Sequence, residues 1–397
     1  MTHNIAIVSV AYNRVNSLAR QIASLQQAKY PENTTLIISI DKSDNDDVER
    51  YAREIEWTHG EKRIVTHREN LGLRRHILSV GQLLEEFDAL VVLEDDITVV
   101  PHFMSYVLAC TDKYAGDDRI AGISLYCYNV HHKSIRPFTP AASAYDVFFM
   151  NVAMSWGQVW MKRQWLDFYK WYQTHSEEFD LPHIPDNVNH WKSSSWLKYH
   201  IRYCIEQNKY FVYPYISLTA NNADAGTHMK VCETVYQSPL QLFPRNGYAL
   251  PATEECPVLY DGFMEPKFLG RYLDIEEAEL TVDFHQSRRY GQWNRYLLST
   301  RILPFHTIAS YALELSPYEA NIIFDRKGDG IWLYDTTIDA TPPKQPDRYR
   351  LYHYLYKKGF YDALFMIGPR RIMVLLRDLV FYKLNQKFHL NLPTHIS

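Results

Sequence analysis

Leu90-Val91-Val92-Leu93-Glu94-Asp95-Asp96-Ile97 is an apolar run that ends in three consecutive acids. A short apolar run without amphipathic periodicity reads as a strand buried on both faces, the kind found in parallel sheets. Burying the three carboxylates unpaired would cost several kcal/mol each, on the order of what desolvation of an ion demands. Something positive must therefore meet them. A divalent cation carrying phosphates does so where a strand opens into a crevice, which makes Glu94, Asp95 and Asp96 a candidate metal site. The competing reading is an exposed acidic turn behind a core strand, and the surrounding sequence has to decide between the two.

Moving outward, Ile5 to Val10 is a second apolar run that gives way to Tyr12-Asn13-Arg14. Leu18, Ile22 and Leu25 then recur at helical spacing behind Ser17, a predicted cap. Leu36 to Ile40 predicts another buried strand, ending at Asp41 and followed by a polar loop and an amphipathic segment from Val48. Ile64-Val65 reads as a short strand. Leu73, Ile77, Val80 and Leu84 share one helical face. Beyond the acids, Pro101 opens a helix carrying Phe103, Val107, Cys110 and Tyr114, and Ile120 to Leu125 returns to strand. Alternating strands and helices predict an α/β fold with parallel strands, whose ligands gather at the carboxyl ends of the strands. Those ends are Tyr12-Asn13-Arg14, Asp41 and Glu94-Asp95-Asp96. Neither a Gly-x-Gly-x-x-Gly nor a Gly-x-x-x-x-Gly-Lys-Ser/Thr loop follows the first strand, which argues against a dinucleotide-binding domain and a P-loop ATPase.

The 397 residues are 46% hydrophobic, enough for one large core or two modest ones. A net charge of −4 gives no support to a nucleic-acid partner. Five scattered cysteines without a Cys-x-x-Cys pair fit a reducing compartment. The amino-terminal segment shows neither a basic stretch nor a long apolar one, so a cytoplasmic location is expected.

Val-Ser-Val-Ala-Tyr-Asn-Arg (8–14), Ile-Ser-Ile-Asp (38–41), Arg-Glu-Asn-Leu-Gly-Leu (68–73) and Leu-Glu-Asp-Asp (93–96) together resemble the nucleotide-binding half of GT-A glycosyltransferases. The similarity is to bacterial family 2 enzymes and to the N-acetylglucosaminyltransferase I group. Ser155-Trp156-Gly157-Gln158-Val159-Trp160 with Lys162, Arg163 and Trp165 resembles a downstream segment of the bacterial members. Asn221-Asn222-Ala223-Asp224-Ala225-Gly226-Thr227-His228 resembles their closing one. The resemblance covers about residues 4–230. It implies a GT-A (Rossmann-like) mixed, mainly parallel sheet sandwiched by helices, with a C-terminal mixed or helical extension. The expected division is a glycosyltransferase domain over 1–238, with a nucleotide-sugar half (1–120) and an acceptor half (121–238). A linker and accessory region (239–340) and a basic aromatic helical tail (341–397) follow.

The resemblance also implies roles. Asp96 and His228 would hold Mn2+ or Mg2+, a hard cation that prefers carboxylate and phosphate oxygens. Asp95 would touch the ribose or a metal-bound water, and Glu94 would orient the set. Asp41 would hold the base or ribose, its alternative being a turn-former. Tyr12, Asn13, Arg14 and Arg74 would meet the nucleotide or its phosphates, and Trp156 would border the sugars. An inverting transfer also needs a carboxylate base. Where relatives carry an Asp before a tryptophan, this chain has Trp191-Lys192-Ser193-Ser194-Ser195-Trp196. Asp186 or Asp224 would then supply the carboxylate, or the activity is lost.

The function implied is a metal-dependent, inverting glycosyltransferase of hexosyltransferase type. It would move a sugar from a nucleotide-sugar, UDP-linked, to a glycan or lipid-linked acceptor in surface polysaccharide synthesis. A sugar nucleotidyltransferase and a non-catalytic nucleotide- or glycan-binding protein are the alternatives. From Arg348 onward the only acids are Asp362 and Asp378 among many basic and aromatic residues. That tail offers a peripheral contact with the inner face of the cell membrane. The alternative is a helix packed on the catalytic domain.

Overall fold

The computed structural model of the chain describes residues 3–30, 33–224, 236–345, 348–356 and 368–388. Its centre is a nine-stranded sheet. In chain order the first strands are β1 (Ile5–Ala11), β2 (Thr35–Ile40), β3 (Lys62–Thr66), β4 (Ala89–Glu94), β5 (Ile97–Val99) and β6 (Ile120–Ser124). They are followed by β7 (Val147–Met150), β8 (Gln158–Met161), β9 (Tyr210–Pro214), β10 (Thr219–Asn221) and β11 (Leu259–Tyr260). The large sheet has the order β11-β7-β9-β6-β8-β4-β1-β2-β3, and β5 and β10 form a separate antiparallel pair. β3, β2, β1 and β4 pair in parallel, as do β6 with β9, whereas β8 is antiparallel to both its neighbours. The expected mixed, mainly parallel α/β architecture is what the chain adopts.

The apolar runs are strands because every residue along them finds a core. Ala6, Val8, Val10, Leu90 and Val92 enter one apolar cluster. Ile5, Ile7, Ala11, Val91 and Leu93 enter another. Successive side chains of a strand point to opposite faces, so a run buried throughout needs a layer of helices on each side. One face is covered by α1 (Val15–Gln26), α2 (Asp47–Glu54) and α4 (Phe103–Tyr114) through Leu18, Ile22, Val48, Phe103 and Val107. The other is covered by α3 (Gly72–Val80), α5 (Lys162–Tyr172) and, beyond the short α6 (Asp186–Asn189), α7 (Leu197–Glu206), through Ile77, Trp165, Phe168 and Ile201.

Two local expectations are corrected. Ser17 does not cap α1, which starts at Val15; it is buried in the first turn and donates to Asp224 at 2.6 Å. Leu84 does not continue α3 but sits in a 3-10 turn over Gly81–Glu85. A Cβ on Gly81 would lie 1.9 Å from the Trp165 indole nitrogen, so α5 packs where a side chain would be.

The proline-rich stretch 239–258 holds no helix or strand and leads into β11, which pairs with β7. The edge of the main sheet therefore comes from beyond residue 238. A second, four-stranded sheet has the order β12-β13-β15-β14, from β12 (Leu280–Asp283), β13 (Tyr296–Ser299), β14 (Phe305–Tyr311) and β15 (Ile331–Asp339). Its Leu280, Val282, Leu298, Ile331 and Leu333 join the same cluster as Val8 and Leu90. The four described cysteines, Cys110, Cys127, Cys204 and Cys256, are unpaired and buried. Two further helices, Arg348–Tyr356 and Pro369–Phe388, complete the described chain. Among the described residues no helix is long and apolar enough to cross a membrane.

Candidate functional site

β1 and β4 pair in parallel with Val10 opposite Glu94, so their carboxyl ends reach the same edge together. That register carries Tyr12-Asn13-Arg14 to the acids. The Arg14 guanidinium pairs with Asp95 and donates to Asp96 Oδ2 at 3.1 Å. On the far side β5 pairs with β10, Ile97 opposite Asn221, and this antiparallel pair brings the 221–224 segment alongside. Asn221 donates to Asp96 Oδ1 at 3.2 Å, and the Asn222 backbone and side-chain amides both reach the Asp96 carbonyl, at 2.9 and 3.0 Å. Beneath the turn, Ser9 bonds Gln21, whose amide in turn donates to the Glu94 carbonyl. The acidic turn is therefore fixed from three elements.

These residues border a cavity of about 830 Å3, with Tyr12, Asn13, Arg14, Asp41, Glu94, Asp95, Asp96, Trp156 and Asp224 on its wall. That is the size range of small-molecule and nucleotide sites, roughly 300–1,000 Å3. Its charge is unbalanced. Burial, with the Asp96 and Asp95 charges adding to it, pushes the Glu94 carboxyl up to about 8. Burial also pushes Asp95 up to about 6, against the pull of Arg14. Burial opposes the charge of Arg14 as well, but the two aspartates hold its pKa above the ordinary value. One guanidinium faces three carboxyl groups, and a bound cation is what such a set would accept. Among the described residues no group of three His, Cys, Asp or Glu is arranged to hold a metal ion by itself.

The other expected residues divide. Asp41 is buried at the end of β2 and its carboxylate is taken up by backbone amides: Leu71 at 2.8 Å, Gly72 at 2.9 Å and its own neighbour Lys42 at 2.9 Å. It anchors the start of α3, where an acid is stabilised by the helix dipole, and still forms part of the cavity wall. Trp156 faces the cavity, whereas Trp160 and Trp165 stack 3.7 Å apart in the core. Arg74 is drawn to the Tyr199 hydroxyl at 2.8 Å and lies over its ring. His228 lies outside the described residues, as do Ala225, Gly226 and Thr227.

Of the two carboxylates expected as a base, Asp224 reaches the cavity and Asp186 does not. Asp224 accepts from Ser17 and pairs with Arg20. Asp186 sits in ion pairs with Lys133 at 2.8 Å and Arg289 at 2.6 Å. Burial opposes them, but the hydrogen bonds from those two cations hold its carboxyl below the usual range. Ser194 does reach the cavity wall, where relatives are expected to carry an acid.

Sequence reasoning missed Asn221, Asn70 and His76, all on the cavity wall. The His76 ring bonds Ser39 Oγ at 2.8 Å, and burial holds it down to about 4, so it stays neutral. Its place on the helical face with Ile77 and Val80 gave no sign of this. Asn221 belonged to a segment already singled out, but its bond to Asp96 spans 125 residues.

No family model matches the chain, and no curated protein matches it. Solved structures similar to it include GalNAc-T7 with UDP, GalNAc and Mn2+, at 13% identity over 55% of this chain and 44% of that one, TM-score 0.38. Another is the mannosyltransferase PcManGT from Pyrobaculum calidifontis in complex with GDP-Man and Mn2+, at 10% identity over 54% and 55%, TM-score 0.34. A third is S. aureus TarS 1-349 in complex with UDP, at 10% identity over 53% and 57%, TM-score 0.32. The chain spans about half the length of these structures.

Proposed function

We propose that the chain is a nucleotide-sugar-dependent glycosyltransferase whose donor lies in the cavity bordered by Glu94, Asp95 and Asp96. The carrying observation is the excess of carboxylates over cations at the carboxyl ends of β1 and β4. Asp96, with one carboxylate oxygen on Arg14 and the other on Asn221, is the acid best fixed for a cation; His228 is its expected companion. Mn2+ or Mg2+ fits this site, because such ions are held by one or two carboxylates with phosphate oxygens completing the shell. Bound there, the ion would neutralise charge on the departing diphosphate.

The protein's own groups do the rest. Arg14 can turn from the aspartates to a phosphate, where a planar fork of donors matches the oxyanion. Trp156 offers an apolar face to the sugar, with Tyr126 packed edge-on against it at 4.9 Å. Asp224 is the acid outside the acidic turn placed to accept the acceptor hydroxyl's proton, and it does so once Arg20 and Ser17 yield it. The acceptor proposed is a glycan or a lipid-linked glycan. The tail helix Pro369–Phe388 exposes Met373, Leu376 and Val380 beside Arg370, Arg377 and Lys383, which supports a peripheral membrane contact.

One observation favours a second reading, a binding protein without turnover: Ser194 occupies the wall and Asp186 is committed elsewhere. Thermal unfolding with UDP and Mn2+ tests the site, since a ligand that binds only the native state raises its stability. The parent should gain several degrees and the Asp96→Ala variant none. An equal gain in both removes the proposal. Release of free sugar from a panel of nucleotide-sugars then separates transferase from binder: no turnover of any donor by a chain that binds UDP favours the binder.

A further inference from the structure

Arg14 lies at the junction of β1 and α1, and its carbonyl accepts the Leu18 amide at 3.1 Å as the helix begins. The backbone is fixed there, and movement is left to the side chain. The guanidinium lies along the Asp95 carboxylate, with Nε 3.4 Å from one oxygen and Nη2 on the other. The same Nη2 donates to Asp96 Oδ2 at 3.1 Å, while Asp96 Oδ1 is taken by Asn221. All four carboxylate oxygens of the two aspartates therefore have a donor. The aspartate side chains are 5% and 12% exposed and that of Arg14 is 27% exposed, so the arginine is the most open member of the group.

This arrangement stands in the way of a metal ion that arrives alone. A divalent cation taking an oxygen of Asp96 has either to share it with the guanidinium or to displace the guanidinium. Sharing puts two positive groups on one carboxylate in a turn where little water screens them. Displacement leaves a mostly buried guanidinium without an anion, which is unfavourable in its own right. A diphosphate removes both obstacles at once. Its oxygens complete the shell of the ion, and its charge receives the planar fork that the aspartates give up. Arg14 and the acids share the cavity wall, so the exchange needs a turn of one side chain. The next residues of α1 repeat the pattern. Ser17 and Arg20, three and six positions on, both hold Asp224, so the start of one helix occupies three of the acids around the cavity.

We propose that Arg14 is a built-in counter-ion, which holds the acidic turn against a free divalent cation and yields it to a cation that enters with a diphosphate. The inference rests on the donor reading above and adds an order to it. Metal and nucleotide go in together, and free metal does not fill the turn ahead of the donor.

Binding of Mn2+ alone to the full chain, followed by the electron paramagnetic resonance signal of the unbound ion, tests this. Arg14→Gln and Arg14→Met are neutral and keep the length of the stem, and both should hold Mn2+ about fivefold or more tightly than the parent. Arg14→Lys keeps the charge and should stay within about twofold of the parent. The gain should vanish when Asp96→Ala is added to Arg14→Gln, which places it at the acidic turn. Circular dichroism checks that each variant folds, and two neutral variants guard against the loss of one. Neutral variants that bind Mn2+ no tighter than the parent overturn the inference. So does an equal gain in Arg14→Lys, or a gain that survives Asp96→Ala. The thermal response of the parent to UDP with Mn2+ reports on the donor reading and Mn2+ alone reports on Arg14, so the two can fail separately.

Discussion

Arg14 is the one cation in contact with Asp95 and Asp96 among the described residues, and it shows how a single side chain sets the state of a site. Removing it leaves two largely buried carboxylates without their cation. Breaking a buried pair costs roughly 3–5 kcal/mol, and the guanidinium is a quarter exposed, so Arg14→Ala should destabilise the chain by about 2 kcal/mol in urea titrations. Glu319 supplies a test by pH. Burial pushes its carboxyl up to about 7 from an ordinary value of 4.5. Between those two values the folded chain binds more protons than the unfolded one, so stability falls as pH rises. The loss is complete above about pH 7 and amounts to up to roughly 3 kcal/mol. Glu319→Gln should remove that component, and the drop in urea midpoint from pH 5 to pH 8 should be smaller in the variant than in the parent. At this scale the sequence disclosed the acids, Asp41 and Tyr12-Asn13-Arg14, because each closes an apolar run. It could not disclose that the Asp41 carboxylate would be taken by the amides of Leu71 and Gly72, which are 30 and 31 residues away.

Among the elements, β1, β2 and β4 were legible because an apolar run buried on both faces reads the same wherever its neighbours lie. For that same reason direction and order were not legible. Nothing in Gln158-Val159-Trp160-Met161 says that β8 inserts antiparallel between β4 and β6. Long-range packing decides it. The junction of α3 with α5 is another such case: the spacing of Leu73, Ile77, Val80 and Leu84 describes one helix, yet the Trp165 indole fills the space beside Gly81 and the last turn tightens. Gly81→Ala should therefore lower the urea midpoint by the equivalent of about 2–3 kcal/mol, an overpacking cost. Gly116→Ala, where a Cβ meets nothing within 4 Å, should change it by less than about 0.5 kcal/mol.

For the molecule as a whole, the apolar cluster containing Val8 and Leu90 also contains Tyr260, Met264, Phe268, Phe284 and Leu333. A chain ended at residue 238 would lose β11 from the sheet and expose that face to water. Such a fragment should fail to show a cooperative thermal transition, while the full chain shows one that includes both sheets. The division expected at residue 238 runs between residues that share one apolar cluster. The buried cysteines carry a practical corollary. Burial pushes the Cys127 thiol up to about 12 and Cys256 to about 11, and raises Cys110 and Cys204 as well. Thiolate is the reactive form, so an alkylating reagent will leave these four sulfurs unmodified until the chain opens. Their spread from α4 to the strap before β11 lets mass spectrometry of the labelled peptides record, in time order, which layer of the sandwich comes apart first.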